Sequence, residues 1–215
     1  MARLHTPQFS DYPFHITARH HNKEAFHLNL DLVWKIMSEQ LYLIHHFFGI
    51  KIHSFVLMPN HFHLICKTDS ELLGIAIGHF MRETSKAMNR YTGRCNQTWG
   101  SRYYRCEVIS QHYFLNCYKY VYQNPVRSKL VSTCEEWKYS TLNGLLGKTH
   151  LLIPVEDDSI LFSDCGMIIK ENLSWLNKVA DADNVDAIKL ALKKRIFKLP
   201  KAKNKKAHFL ESELF

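Results

Sequence analysis

Two short patterns in this chain carry residue types that could do chemistry together. His61-Phe62-His63 sets two imidazoles two positions apart, and in a strand alternate side chains share a face, so both rings would project together while Phe62 points the other way. Neutral imidazoles at that spacing suit a single divalent metal ion. Further along, in LNCYKYVYQNP, Tyr120 and Asn124 stand four apart and so lie on one face of a helix, about a turn from each other. A phenol and an amide oxygen would be presented together.

Neither pattern is sufficient alone. With 14 histidines in 215 residues, an H-x-H pair arises readily by accident, and any of Tyr118, Tyr120 and Tyr122 could be a core tyrosine with its hydroxyl at the edge. Tyr118 and Tyr122 form a second pair at helical spacing, on a different face. Neither has a metal-competent residue four positions on.

The elements that must position these groups follow from hydrophobic periodicity. Pro13 to Ala18 reads as a strand, and Asn29 to Phe48 as a helix. Ile52 to Met58 and His61 to Lys67 read as antiparallel strands joined by a tight turn at Met58-Pro59-Asn60. A helix from Glu71 to about Tyr91 and a short strand near Arg105 to Ile109 follow. The order β, α, β, β, α, β predicts an α+β fold of split βαβ type (ferredoxin-like or RRM-like), an antiparallel sheet with its two helices on one face. A third helix, Gln111 to Gln123, is expected to stop at Asn124-Pro125, because the residue before proline is pushed away from helical angles. Beyond Trp137 the signals weaken, with one more helix expected from Val185 to Phe197. The division expected is a functional domain over 1–148 and a helical, basic C-terminal extension over 149–215.

Charge and composition narrow the partner. The net charge is +8 with 46% hydrophobic residues, enough for a real core. Lys189 to Lys206 holds nine Lys/Arg and no acid, and His79 to Val131 holds nine against Glu83 and Glu107. Between them, Ser132 to Ile188 holds ten acids against four lysines. Basic zones so distributed suit a polyanion on particular faces. No run approaches the roughly 18 apolar residues of a membrane span, and the N-terminus does not resemble a secretory signal, so a cytoplasmic, nucleoid-associated protein is expected. Six scattered cysteines without a C-x-x-C pair suggest reduced thiols.

VLMPNHFHLI, followed some sixty residues later by YVYQNPVRSKLV, resembles the REP-associated tyrosine transposases, relatives of the single-tyrosine HUH transposases of the smallest insertion sequences. The segments Trp99-Gly100-Ser101-Arg102-Tyr103 and Trp137-Lys138-Tyr139-Ser140 are similar to family segments as well, so the resemblance spans about Tyr12 to Leu142. It implies that His61 and His63 bind a divalent metal, Mg²⁺ or Mn²⁺, that Asn124 completes the site, and that Tyr120 is the nucleophile. It implies further a single-stranded DNA substrate with a hairpin (a REP-like repeat or an element end), cut through a 5′-phosphotyrosine intermediate and rejoined by a monomer or homodimer.

Arg82, Lys86 and Arg90 form a basic stripe at helical spacing that would track phosphates, and Arg94, Arg102, Tyr103, Tyr104 and Arg105 mix charge with rings as a single strand requires. Lys119, Arg105 and His112 are unranked candidates for activating Tyr120. Two other functions compete: a metal-dependent hydrolase using water, for which a nearby carboxylate ligand would be expected, and a non-catalytic nucleic-acid-binding module.

Overall fold

The computed structural model describes residues 10–95, 97–156, 166–179, 181–201, 208–211 and 214, with side chains of the helix beginning at Gly166 described from Lys170 onward. Cys165, the acids Asp157, Asp158 and Asp164, and the last lysines of the basic tail, Lys203, Lys205 and Lys206, lie outside the described residues.

Four strands, β1 (Phe14–Arg19), β2 (Lys51–Met58), β3 (His61–Lys67) and β4 (Tyr104–Glu107), form an antiparallel sheet in the order β2-β3-β1-β4. The first helix, α1 (Leu30–Phe48), starts where the Asn29 side chain accepts a hydrogen bond from the Leu32 N–H at 2.9 Å, and ends at Gly49 in the left-handed conformation. Val33, Ile36, Met37, Leu41 and Ile44 recur along it at helical spacing and are buried. With α2 (Leu73–Thr92) it covers one face of the sheet, where Phe62 of β3 meets Phe80 of α2 with ring centroids 5.4 Å apart. This is the expected split βαβ arrangement.

The opposite face is covered by α3 (Gln111–Tyr122), which packs on β2 and β3 through Cys117, Tyr118 and Val121. It begins at Ser110, whose hydroxyl accepts from the Tyr113 N–H at 3.1 Å. The helix ends at Tyr122, just before Asn124-Pro125 as expected, but a further helical turn that the sequence reading did not anticipate, α4 (Asn124–Arg127), follows directly. Proline is compatible with a first helical turn, where its missing N–H has no intrahelical partner to lose.

Both edges of the sheet are covered by later chain. Along β2, the Leu57 N–H donates to the Tyr139 carbonyl at 2.9 Å and the Trp137 indole N–H to the Leu57 carbonyl at 2.8 Å. Past β4, Glu107 and residues 195–197 exchange two backbone hydrogen bonds of 2.8 Å each. After α5 (Thr141–Leu145) come α6 (Gly166–Asn177), which the sequence reading did not anticipate, and α7 (Ala182–Ala191). The helix expected over 185–197 is therefore shorter and earlier, because its last residues leave the helix to pair with β4. Among the described residues no helix is long and apolar enough to cross a membrane. Cys66, Cys106, Cys117 and Cys134 are buried free thiols and Cys95 is an exposed one.

Candidate functional site

The alternation of β1 and β3 decides what faces α3. Thr17 pairs with His63 and Arg19 with His61 in register, so His15, Thr17, Arg19, His61 and His63 all project from one side of the sheet. Over them α3 brings Tyr120, whose ring lies edge-on to His63 with centroids 6.1 Å apart. His61 and His63 are themselves 5.0 Å apart, centroid to centroid. A cavity of about 530 Å³ is lined by these groups together with Tyr104, Asn124, Arg127, Lys189 and Lys193. The two histidines, the tyrosine and the asparagine singled out from spacing thus share one cavity.

Hydrogen bonds determine which atoms are left for a ligand. The Asn60 amide donates from Nδ2 to the Lys23 carbonyl at 2.7 Å, which turns its Oδ1 to His61 Nδ1 at 2.6 Å. An amide oxygen only accepts, so His61 carries its proton on Nδ1 and a lone pair on Nε2. His63 Nδ1 lies 2.9 Å from His15 Nε2. For His63 to offer its own Nε2 lone pair, it donates from Nδ1 and His15 accepts, with the His15 proton on its buried Nδ1, which has no partner. Asn124 donates from Nδ2 to the carbonyls of Tyr120 and Val121 at 3.0 and 3.3 Å, keeping Oδ1 as its remaining acceptor. Two imidazole nitrogens and one amide oxygen fit a divalent cation, with partners behind them that hold their orientation.

Burial keeps the imidazoles neutral. It is the largest cause of the downward shifts of His61, to about 4, His15, to about 3, and His63, well below the ordinary histidine value, with neighbouring rings and arginines adding to it. Burial also pushes the Tyr120 phenol above its ordinary value, and the Arg127 cation opposes that rise. The guanidinium of Arg127 lies over the Tyr120 ring, 4.2 Å from its centroid, and donates to the Tyr120 carbonyl at 2.9 Å.

The expected nucleic-acid residues divide differently. Arg82, Lys86 and Arg90 lie on α2, over the opposite face of the sheet from Tyr120, and the first two share the Glu83 carboxylate at 3.0 Å each. Arg102 is exposed in the loop before β4. Arg105 pairs with Ile16 in register and stands over the Phe14 ring, again on the α1/α2 side, whereas Tyr104 lines the tyrosine cavity. Of the candidates for activating Tyr120, Lys119 is buried with its ammonium 5.4 Å from the centre of the Trp175 ring, and His112 Nε2 is 2.8 Å from the Leu210 carbonyl oxygen.

Sequence reasoning missed Arg19, Arg127, Lys189 and Lys193, the cations that do line the cavity. Arg127 was legible: seven residues after Tyr120 is two helical turns, on the same face. The turn α4, not anticipated at Asn124-Pro125, hid it.

No protein-family model matches the chain, and no curated protein matches it. Among solved structures, one described as "Structure of the REP associates tyrosine transposase bound to a REP hairpin" superposes with a TM-score of 0.56 at 16% identity. The match covers 77% of this chain and 96% of that one. The two chains share a fold. That likeness runs over most of the present chain, so the sheet and its helices are not an isolated coincidence of a few elements.

The partners behind the imidazoles give a direct prediction. Asn60→Ala frees His61 to change tautomer and is expected to weaken Mn²⁺ affinity by about 10–100-fold without unfolding the protein. Titration calorimetry with Mn²⁺, beside a thermal melt, measures it.

Proposed function

We propose that the chain is a metal-dependent single-strand DNA endonuclease and strand transferase, a transposase-type enzyme of the single-tyrosine HUH kind acting on hairpin-containing DNA. The observation that carries this reading is the meeting of Tyr120 with His61, His63 and Asn124 in one cavity. A likeness of fold to a transposase bound to a REP hairpin supports it.

Mg²⁺ or Mn²⁺ held by His61, His63 and Asn124 would polarise the scissile phosphate and offset charge on its oxygens. Tyr120 then acts as nucleophile: its phenolic oxygen forms a bond to phosphorus as the bond to the 3′-oxygen breaks. The products are a 5′-phosphotyrosine and a free 3′-hydroxyl, with the phenol proton lost and one taken up by the departing oxygen. Because the phosphoryl bond is stored on the protein instead of being lost to water, the 3′-hydroxyl of the same or another strand can reverse the step. Arg127, over the ring, favours the phenolate by its charge. The amide and imidazole partners His15 and Asn60 hold the ligand atoms toward the cavity.

Another wall comes from α7 and the turn that follows it. Lys189, on α7, and Lys193, in that turn, are exposed and both at the cavity, where they would meet phosphates flanking the cut. Lys189→Ala and Lys193→Ala are each expected to weaken single-stranded DNA binding and to lower the slope of log K against log salt by about 0.7. Arg82→Ala, on the far face, is expected to change neither quantity as much; fluorescence anisotropy over a salt series reads both.

The test of function is incubation of the protein with single-stranded hairpin DNA and Mn²⁺ or Mg²⁺, followed by denaturing electrophoresis. A denaturant-resistant protein–DNA adduct is expected. Cleavage without an adduct would instead indicate a hydrolase using water, and binding without either would indicate a recognition module.

A further inference from the structure

A second cluster of metal-competent side chains stands on the other face of the sheet. His20, at the end of β1, and Glu24 and His27, in the loop leading to α1, offer ligand atoms that all lie within 4.8 Å of one another. We propose that these three residues form a metal site that takes Zn²⁺, separate from the tyrosine cavity.

His20 is the buried anchor of the cluster. It is only 6% exposed, its backbone N–H donates to the Asn60 carbonyl at 2.8 Å, and its ring is wedged edge-on against Phe26 and His27, at 5.3 and 5.0 Å. Its Nδ1 is buried without a hydrogen-bond partner. Buried polar atoms are nearly always satisfied, and an ion held with Glu24 and His27 would satisfy the ring beside its one backbone contact, with His21. His27 Nε2 lies 3.7 Å from Glu24 Oε2.

The donor set selects the ion. Two imidazoles and one carboxylate are a zinc set, softer than the oxygen ligands that Mg²⁺ and Ca²⁺ prefer, and three protein ligands leave a fourth position open. Tetrahedral bonds of about 2.0–2.1 Å would bring the ligand atoms to roughly 3.3 Å apart. Glu24 and His27 are exposed, so their side chains can close that distance onto the fixed His20 ring. The open position would face a cavity of about 420 Å³ whose lining includes Asn89, Gln97 and Arg94. Arg94 is the opposing charge, acting on His20 from the far wall, and the Glu24 carboxylate offsets it.

The site would tie the 20–27 loop to the end of β1. Zn²⁺ retained by the full-length protein after dialysis is measured by elemental analysis for the wild type and for His27→Ala and Glu24→Gln. Both substitutions are at exposed positions, and metal-free melting curves check that each variant folds. The wild type is expected to hold one Zn²⁺ per chain more than His27→Ala, whether or not the tyrosine cavity also binds metal, and the same difference is expected when both carry His61→Ala. Saturating Zn²⁺ is expected to raise the melting temperature of the His61→Ala protein by roughly 5–10 °C, and that of the His61→Ala/His27→Ala protein by much less. Co²⁺ in place of Zn²⁺ is expected to give a tetrahedral visible absorption that Glu24→Gln weakens. Equal Zn²⁺ retention by wild type and His27→Ala overturns the proposal, as does a Co²⁺ spectrum unchanged by both substitutions.

Discussion

Tyr120→Phe is expected to abolish the covalent protein–DNA adduct and to lower cleavage of a single-stranded hairpin substrate by on the order of 10⁴-fold or more. The substitution removes one oxygen from a ring that is 8% exposed, with the loss of its hydrogen bond to the Arg127 side chain, while the ring keeps its edge-on contact with His63 and its stacking under the Arg127 guanidinium. The fold and DNA affinity should survive, so the loss falls on the chemical step. Tyr118→Phe and Tyr122→Phe provide the contrast. Tyr118 is fully buried on another side of α3, and the Tyr122 hydroxyl is 2.7 Å from Thr141 Oγ1, inside the layer beside β2. Those variants are expected to keep forming the adduct, with some loss of stability for Tyr122→Phe. Should Tyr120→Phe still form it while either of the others does not, the nucleophile is misassigned.

His61→Ala is expected to lower cleavage by about 10²–10³-fold, and chelation of divalent metal should do at least as much. The size follows from the role: a preorganised electrophile facing developing charge contributes several kcal/mol to the transition state, while contributing little to holding the strand. DNA binding, measured with metal absent, should therefore change little. His61 suits this test because it is partly exposed, so removing it leaves less of a void than removing the buried His63. Added Mn²⁺ at high concentration is expected to restore part of the His61→Ala activity, since His63 and Asn124 remain. A variant as active as the wild type would exclude His61 as a ligand.

The split βαβ core was legible because each of its elements carries its own signal. Phe62, Leu64 and Cys66 alternate with His61, His63 and Ile65, and Val33, Ile36, Met37, Leu41 and Ile44 recur at helical spacing, so face and period are written locally. The same local logic joined His61 with His63 and Tyr120 with Asn124. What it could not supply was the pairing of distant segments. Lys189 and Lys193 read as part of a solvated basic run, and only the packing of α7 on α3 brings them to the cavity. Arg82, Lys86 and Arg90 made a convincing stripe in one dimension, yet their helix lies behind the sheet. His20, Glu24 and His27 are spaced four and three apart across a loop whose shape depends on Asn22 and Lys23 in left-handed conformations, and of the two only Asn22 is a residue type that favours it.

The wall of α7 also has a meaning for synthesis on the ribosome. His15, His61, His63, Tyr120 and Asn124 have all been translated at least 69 residues before Lys193 is added, an interval of about 3–14 s or more at ordinary elongation rates. During that time the nascent chain holds these groups in an unfinished, open cleft, which the later α7 segment closes.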